Sequence, residues 1–172
     1  MGIIVFDSST LILLAKINLL KKVYLYYDKI IIPEHVFKET IEKGKTENKE
    51  DAYLIEKEIK DKKINILKIK NKNILDEILK NFKCNLGEAE AISLAIDKKS
   101  TLFTDDSEAM KICKVYDIEF ITALAFLIKL VQDNKVDKED ALIKFQRLAK
   151  LGYYSKEILD YAFEECNKKW NK

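Results

Sequence analysis

The stretch that most constrains the fold is residues 3–9 (IIVFDSS), an unbroken apolar run that ends in a carboxylate and two hydroxyls. A short apolar run of this kind is typical of a strand buried on both faces, in the middle of a parallel sheet. Asp7 would then lie at the carboxyl end of that strand. Ligands of open α/β sheets bind at this edge. The sequence therefore predicts a ligand site here if other carboxylates reach the same edge.

Composition sets the broad class of the protein. The chain has 172 residues, 48% of them hydrophobic and 35% charged, so we expect one globular domain over residues 1–172. No apolar run approaches the roughly 18 residues that a membrane span needs, and no signal peptide pattern opens the chain. We expect a cytoplasmic protein that does not enter a membrane.

Cysteine and histidine usage narrows the metal chemistry. The three cysteines, Cys84, Cys113 and Cys166, are dispersed without a C-x-x-C pair, and His35 is the only histidine. Zinc ribbons, disulfide frameworks and histidine-rich zinc sites are therefore disfavoured. Any metal must be held by oxygen ligands. Because the formal net charge is only +2, nucleic-acid binding would depend on local basic patches.

Strand and helix patterns alternate along most of the chain. Strands are predicted at residues 3–6, 29–32, 64–69, 101–104 and 119–121. Helices are predicted between them, with N-cap candidates at residues 8–10 for the first, and residues 43–51 are predicted to be a loop. Two amphipathic helices, about 137–151 and 155–169, follow the last strand. This order predicts a three-layer α/β/α sandwich with a parallel central sheet and extra C-terminal helices.

Two predicted strands end in carboxylates. Asp7 follows the first strand, and Asp105 and Asp106 follow the strand at residues 101–104. A single aspartate in this position is at least as often a helix N-cap or a turn residue as a functional group. Two strands that end alike favour a shared site.

The helix predicted at residues 88–98 contains an acid in an unusual position. Helical spacing places Glu88 on one face with Ala91, Ile92 and Ala95, whereas Glu90 falls on a polar line with Ser93 and Asp97, which predicts the solvent side. A glutamate that only interacts with the helix dipole is the alternative for Glu88. The same projection places Glu39 and His35 toward the polar side of their helix.

Four motifs in this order resemble the PIN domain family, and among its members the VapC-related ribonucleases. They are Asp7-Ser8-Ser9 after a strand, residues 32–39 (IPEHVFKE), residues 87–92 (GEAEAI) and residues 102–106 (LFTDD). The resemblance covers about the first 130 residues. It implies a parallel sheet flanked by helices, with acids clustered at the carboxyl edge of the sheet.

The resemblance also implies the site and the reaction. It assigns catalysis to Asp7, Glu39, Glu88 and Asp106, and a metal ion to Asp7, Glu88 and Asp106. Accessory candidates are Ser9, Thr104, Asp105 and Glu90. The implied activity is endoribonucleolytic hydrolysis that leaves a 5′-phosphate and a 3′-hydroxyl. Mg²⁺ or Mn²⁺ would suit such oxygen ligands.

The biological setting has several candidates. The chain could be the toxin of a type II toxin–antitoxin pair, with an antitoxin protein as partner and a homodimer as its assembly. VapC toxins are usually shorter, and residues from about 135 to 172 would form a helical extension. Alternatives are a catalytically silent or antitoxin-independent PIN-fold protein that binds or processes RNA, and a Mg²⁺-binding phospho-receiver-like domain, for which no strand-end lysine is found.

A lysine-rich stretch is a weaker nucleic-acid signal. Residues 57–72 contain several lysines that could follow an RNA backbone. Glu58 and Asp61 are interleaved with them, which favours a solvated surface.

Overall fold

The computed structural model describes residues 2–170, and within them five strands form one parallel sheet. In chain order the strands are β1 (Gly2–Phe6), β2 (Tyr27–Pro33), β3 (Ile64–Leu67), β4 (Thr101–Phe103) and β5 (Phe120–Ile121). Their order across the sheet is β3-β2-β1-β4-β5, so the opening strand is central. The predicted α/β fold with a parallel central sheet is confirmed.

Strand β1 is buried on both faces because it has a neighbour on each side and helices above and below. Val5 is in register with Ile31 of β2 and Leu102 of β4, and all three lie in one core cluster. Phe6 points to the opposite face, where its ring stacks on that of Phe103 with centroids 4.6 Å apart. Because side chains on both faces of this strand are buried, its sequence is apolar without alternation.

Helices connect the strands. They are α1 (Ser8–Lys16), α2 (Glu34–Phe37), α3 (Gly44–Thr46), α4 (Glu50–Lys60), α5 (Lys72–Asn81), α6 (Leu86–Lys98) and α7 (Ser107–Val115), with a 3₁₀ helix at Leu20–Leu25 and a π-helical segment at Lys38–Lys43. Helix α6 packs across β1, β2 and β4. Its alanines, among them Ala91 and Ala95, are fully buried and let the helix approach the sheet closely.

The loop predicted at residues 43–51 is wrong in extent. The helix that starts at Glu34 continues through the π-helical segment to Thr46, and α4 already begins at Glu50. The polar sequence has no apolar periodicity to stabilise a helix here, and tertiary packing stabilises it instead. Gly44 approaches Ala52 so closely that an added Cβ would lie 2.8 Å from the Ala52 Cβ. This packing brings the two helices together around a short turn.

Contacts between Cα atoms divide the chain into one unit that ends at Ile121 and a second that starts at Thr122. The second unit contains α8 (Ala123–Gln132), α9 (Lys138–Leu151) and α10 (Lys156–Trp170). Within it, the Phe163 ring contacts the rings of Phe145 and Trp170. The single domain and the extension from about residue 135 stay predictions. Across residues 2–170, every helix is too short or too polar to cross a membrane.

Candidate active site

Asp7 lies at the carboxyl end of the central strand and caps α1. Its Oδ1 accepts hydrogen bonds from Thr10 N at 2.8 Å and from Ser9 Oγ at 3.2 Å, and its Oδ2 accepts one from Thr104 Oγ1. The N-cap predicted among residues 8–10 is therefore Asp7 itself. Only 2% of Asp7 is exposed, and burial raises its pKa to about 6 against the lowering effect of the Thr104 and Thr10 hydrogen bonds. The fold keeps this carboxyl group at the sheet edge with little hydration.

Asp106 ends the neighbouring strand in the same way. It caps α7 and accepts a hydrogen bond from Ala109 N at 2.8 Å. Thr104 links the two strand ends, because its hydroxyl donates to Asp7 and accepts from Asp106 N at 3.2 Å. The parallel pairing of β1 and β4 thus brings both strand-end aspartates to one edge, as the sequence predicts.

Glu88 belongs to the first turn of α6 and takes part in a capping box with Asn85. Its Oε2 accepts from Asn85 N at 3.0 Å and its Oε1 from Asn85 Nδ2 at 2.6 Å, while Glu88 N donates to Asn85 Oδ1 at 2.9 Å. The carboxylate therefore does not enter the apolar core, although Ala91 and Ile92 on the same face are buried. The contacts of Glu88 are those of an acid that interacts with the N-terminus of its helix, which was the alternative considered for it.

Charge repulsion shows that Glu88 lies near the other candidate acids. Burial raises the pKa of Glu88 most strongly, and the charges of Asp106, Asp7 and Glu39 raise it further. Within residues 2–170, no basic side chain forms an ion pair with Asp7, Glu88 or Asp106. The four predicted acids are therefore electrostatic neighbours, and three of them lack a protein cation.

Glu39 comes from a different type of element. It lies in the π-helical segment Lys38–Lys43. This geometry is rare in proteins overall, and many of the known cases are at functional sites. Its Oε2 accepts a hydrogen bond from Ser8 Oγ, and its Oε1 lies 3.4 Å from His35 Nε2. The side chain is 39% exposed. The projection that placed Glu39 on the polar side is therefore compatible with its position at the cleft.

Gly87 allows α6 and Glu39 to meet. A Cβ at this position would lie 2.9 Å from Glu39 Oε2 and 3.2 Å from His35 Cδ2. Only a residue without a side chain leaves the Glu39 carboxylate where it is. Gly87 thus controls the position of Glu39 without any hydrogen bond to it.

These side chains surround a cleft of about 300 Å³. Its lining includes three of the four acids, Asp7, Glu39 and Glu88, together with Ser8, Ser9, Ile12, Lys43, Lys49 and Asn85. Asp106 is not part of the lining, although its charge acts on Glu88. A second cleft, of about 280 Å³, lies around Lys99, Tyr116 and Asp117, where β4 begins. Only the first cleft is at the carboxyl edge of the sheet.

The donor set suits a hard divalent cation that keeps part of its water shell. Within residues 2–170, no three acidic, histidine or cysteine side chains are close enough to form a ready-made metal site. Mg²⁺ commonly binds through one or two carboxylates and several waters. The dehydrated Asp7 carboxylate and the mutual repulsion of the acids are the conditions that a cation would relieve.

The accessory candidates have different neighbours. Ser9 and Thr104 hydrogen-bond to Asp7, as described above, and Asp105 N donates to Thr10 Oγ1 at 2.9 Å. Glu90 accepts from His35 N at 3.2 Å and so holds the start of α2 against α6. The solvent side predicted for Glu90, Ser93 and Asp97 is wrong at Ser93, which is 3% exposed because α6 has neighbours on most of its circumference.

Sequence reasoning missed Ser8, Gly87 and Asn85. Ser8 was visible only as one of several hydroxyls after the strand, and nothing local pairs it with Glu39, 31 residues away. The role of Asn85 could have been predicted from the sequence, because an N-cap residue three positions before a glutamate is the capping-box pattern. For Gly87, only the tertiary contact with Glu39 reveals the requirement for glycine.

A parallel α/β fold with acids collected at the carboxyl edge of its central strands defines a class of proteins that bind their ligands at that edge. A family model described as PIN domain matches residues 3–168. The chain therefore belongs to the PIN domain family, whose members are generally nucleases that act on RNA with divalent metals. The match extends beyond the 130 residues that carry the sequence motifs and includes α9 and most of α10.

A comparison of structures supports the same fold. The chain is similar to a PilT N-terminus domain protein from the hyperthermophilic archaeon Sulfolobus solfataricus P2, with a TM-score of 0.50 and 14% sequence identity. The alignment covers 89% of this chain and 96% of that one. No protein of curated function matches the sequence significantly.

Proposed function

We propose that this protein is a Mg²⁺- or Mn²⁺-dependent endoribonuclease. The observation that carries the proposal is that Asp7, Glu39 and Glu88 line one cleft, while Thr104 links Asp7 to the backbone of Asp106. The charges of the other three acids also raise the pKa of Glu88. Asp7, Glu88 and Asp106 are the residues that would hold the ion. When bound, a divalent cation lowers the pKa of water and neutralises charge on the phosphodiester.

The protein groups divide the remaining tasks. Thr10 N and Thr104 Oγ1 fix the two oxygens of Asp7, which lines the cleft, so the carboxylate is preorganised before a ligand binds. Glu39 is more exposed and its Oε1 faces His35 Nε2 at 3.4 Å. In the proposal, His35 holds the Glu39 carboxylate in position, and Glu39 accepts the proton of the attacking water. The water oxygen bonds to phosphorus as the bond from phosphorus to the 3′ oxygen breaks, and the 3′ oxygen takes a proton from solvent. The products are a 5′-phosphate and a 3′-hydroxyl.

The decisive experiment is RNA cleavage by the purified protein with EDTA and after addition of Mg²⁺ or Mn²⁺. We expect no cleavage in EDTA and full recovery with either ion. Asp7→Asn protein prepared in parallel controls for contaminating ribonuclease. Cleavage in EDTA, or equal cleavage by the Asp7→Asn preparation, would refute the proposal. Binding of RNA without cleavage under all conditions would favour the catalytically silent RNA-binding alternative.

The toxin role and the homodimer are finer proposals that rest on the VapC-like motifs. For the toxin role, we expect growth arrest on expression and a small neighbouring gene whose product relieves it. Light scattering on the purified chain measures its assembly state. A monomer, or expression without any effect on growth, would count against these two proposals and leave the nuclease chemistry untouched.

A further inference from the structure

The acidic cleft has a basic wall. Lys43 and Lys49 line it together with Ser8, Glu39 and Glu88, and both lysines are exposed. Acids alone repel a polyanion, so the presence of two lysines on the same cleft requires a separate explanation. The lysines extend from a different segment than the capping acids, and this segment has its own structural support.

The turn between the π-helical segment and α4 fixes the two lysines on one side. Lys43 is the last residue of the π-helical segment, and Lys49 immediately precedes α4. Lys49 N donates to Gly44 O at 2.9 Å, which closes the turn between them. The close approach of Gly44 to Ala52 holds the turn against α4. The backbone positions of both lysines are thus determined by packing.

The charge of the wall is only partly compensated. In the described part of the chain, Lys43 forms no ion pair, and Lys49 pairs with Glu47. Lys45, in the same turn, is outside the cleft lining and donates to Glu56 Oε1 at 2.9 Å. Lys43 is therefore available to an anionic ligand, and Lys49 becomes available if it exchanges Glu47 for that ligand.

The lysine-rich stretch at residues 57–72 differs from the wall. Lys60 pairs with Glu56 at 3.2 Å and Lys68 with Glu34 at 3.5 Å, while Lys63 lies over the Tyr24 ring. These lysines have protein partners, and none of them lines the acidic cleft. Their arrangement supports the interpretation as a solvated surface.

We propose that Lys43 and Lys49 bind a backbone phosphate of the RNA strand next to the phosphate that is cleaved. This inference rests on the proposed nuclease function and specifies its substrate as a strand that continues beyond the scissile bond. The acids with their cation would receive one phosphate, and the lysine wall would receive its neighbour. A substrate with a single phosphodiester group would not reach the wall.

Salt dependence of RNA binding tests the wall directly. Lys43→Ala, Lys49→Ala and the control Lys45→Ala are titrated with a labelled single-stranded oligoribonucleotide in EDTA, and intact RNA is verified afterwards. We expect each wall variant to reduce the slope of log affinity against log salt by about 0.7, which is about fivefold in affinity near 0.1 M salt. Lys45→Ala should keep the wild-type slope. Unchanged slopes for both wall variants would overturn the proposal.

Two further variants give results that a merely structural effect would not. Lys43→Arg should restore the slope, because it retains the charge. Glu47→Gln should tighten RNA binding severalfold by releasing Lys49. Weaker or unchanged binding by Glu47→Gln would contradict the assignment of Lys49.

Cleavage of a small substrate separates this inference from the proposed function. With bis(p-nitrophenyl) phosphate and Mn²⁺, we expect the wall variants to lose clearly less activity than they lose on RNA. The loss on RNA should appear as a higher KM. Equal losses on both substrates would refute the proposal that the two lysines bind a neighbouring phosphate. Absence of metal-dependent cleavage of RNA by the wild type would refute the nuclease proposal instead, while the binding slopes would still decide the phosphate contact.

Discussion

The two sides of the cleft hold their carboxylates by different means. On one side, Asp7 caps a helix and Glu88 completes a capping box, and Asp106, next to the cleft, also caps a helix, so backbone N–H groups fix each of them. On the other side, Glu39 caps nothing and is held by Ser8 and His35. The first three carboxylates are held by the backbone at helix N-termini, whereas Glu39 is held by other side chains. Three of the carboxylates that we propose as site residues thus also serve helix N-termini, and evidence for that structural role does not argue against the proposed one.

The largest expected effect is on Asp7. We expect Asp7→Asn to reduce metal-dependent RNA cleavage by about a thousandfold, the upper range for losing one key charge-stabilising group, while α1 keeps its cap because asparagine is an equally good N-cap. Asp137→Asn is the matched control, since Asp137 also caps a helix and accepts from Asp140 N at 2.8 Å. Single-turnover cleavage rates and circular dichroism measure the two properties. Loss of helix in Asp7→Asn, or cleavage above a tenth of wild type, would contradict the prediction.

The second effect is on the stability of the metal-free protein. Because burial raises the pKa of Asp7 from 3.8 to about 6, the folded state favours the neutral acid. This contribution is fully present below about pH 4 and is lost as the pH rises through 6, by roughly 3 kcal/mol. We expect Asp7→Asn to be more stable than wild type above pH 6 in EDTA. Urea unfolding of both proteins across this range measures the difference, and a difference that does not change with pH would contradict the assignment.

A smaller effect is expected on the other side of the cleft. We expect Glu39→Gln to reduce cleavage by about a hundredfold, the lower range for loss of a general base, with stability within about 0.5 kcal/mol of wild type. Glu42→Gln, an exposed residue of the same π-helical segment, should leave the cleavage rate unchanged. If Glu39→Gln lost as much activity as Asp7→Asn, the two sides would not differ in importance as the contacts suggest.

The smallest effect concerns Gly87. We expect Gly87→Ala to lower cleavage severalfold, because the added methyl group displaces the Glu39 carboxylate. Stability should stay level or rise by up to about 1 kcal/mol, since alanine favours the helix and a flexible carboxylate can move away. Gly2→Ala is the control because its added Cβ meets no atom within 4 Å. A destabilised Gly87→Ala with an unchanged cleavage rate would show that Glu39 is not constrained by this contact.

The acids that are held at helix N-termini are also the ones whose positions can be predicted from local sequence. The strand-end acids follow from local patterns, since an apolar run fixes β1 and β4 and parallel pairing brings Asp7 and Asp106 to one edge. Glu88 stays a predicted site residue, and its carboxylate is held by a capping box instead of lying on the buried helical face. Its actual signal was Asn85 three residues earlier, because the capping box determines where its carboxylate lies.

Other features depend on contacts between distant segments. A helical projection assumes regular α geometry, and it cannot anticipate a π-helical segment at Glu39 or the requirement for glycine at position 87. The helical residues 44–46 lack apolar periodicity and are supported by the approach of Gly44 to Ala52. The projection also failed at Ser93, because α6 contacts both the sheet and the flanking helices. The family resemblance, rather than periodicity, singled out Glu39.

In the proposed function, Asp7 and Asp106 are both helix caps and chemical groups, which has a consequence for the history of such proteins. Asparagine or serine at the position of Asp7 or Asp106 would still start the helix, so a gene could lose the reaction in one step while its product kept folding. Inactive relatives of this fold should therefore arise easily and persist as binding proteins. Under the proposed function, a related chain that lacks the charge at either cap position should fold without cleaving RNA.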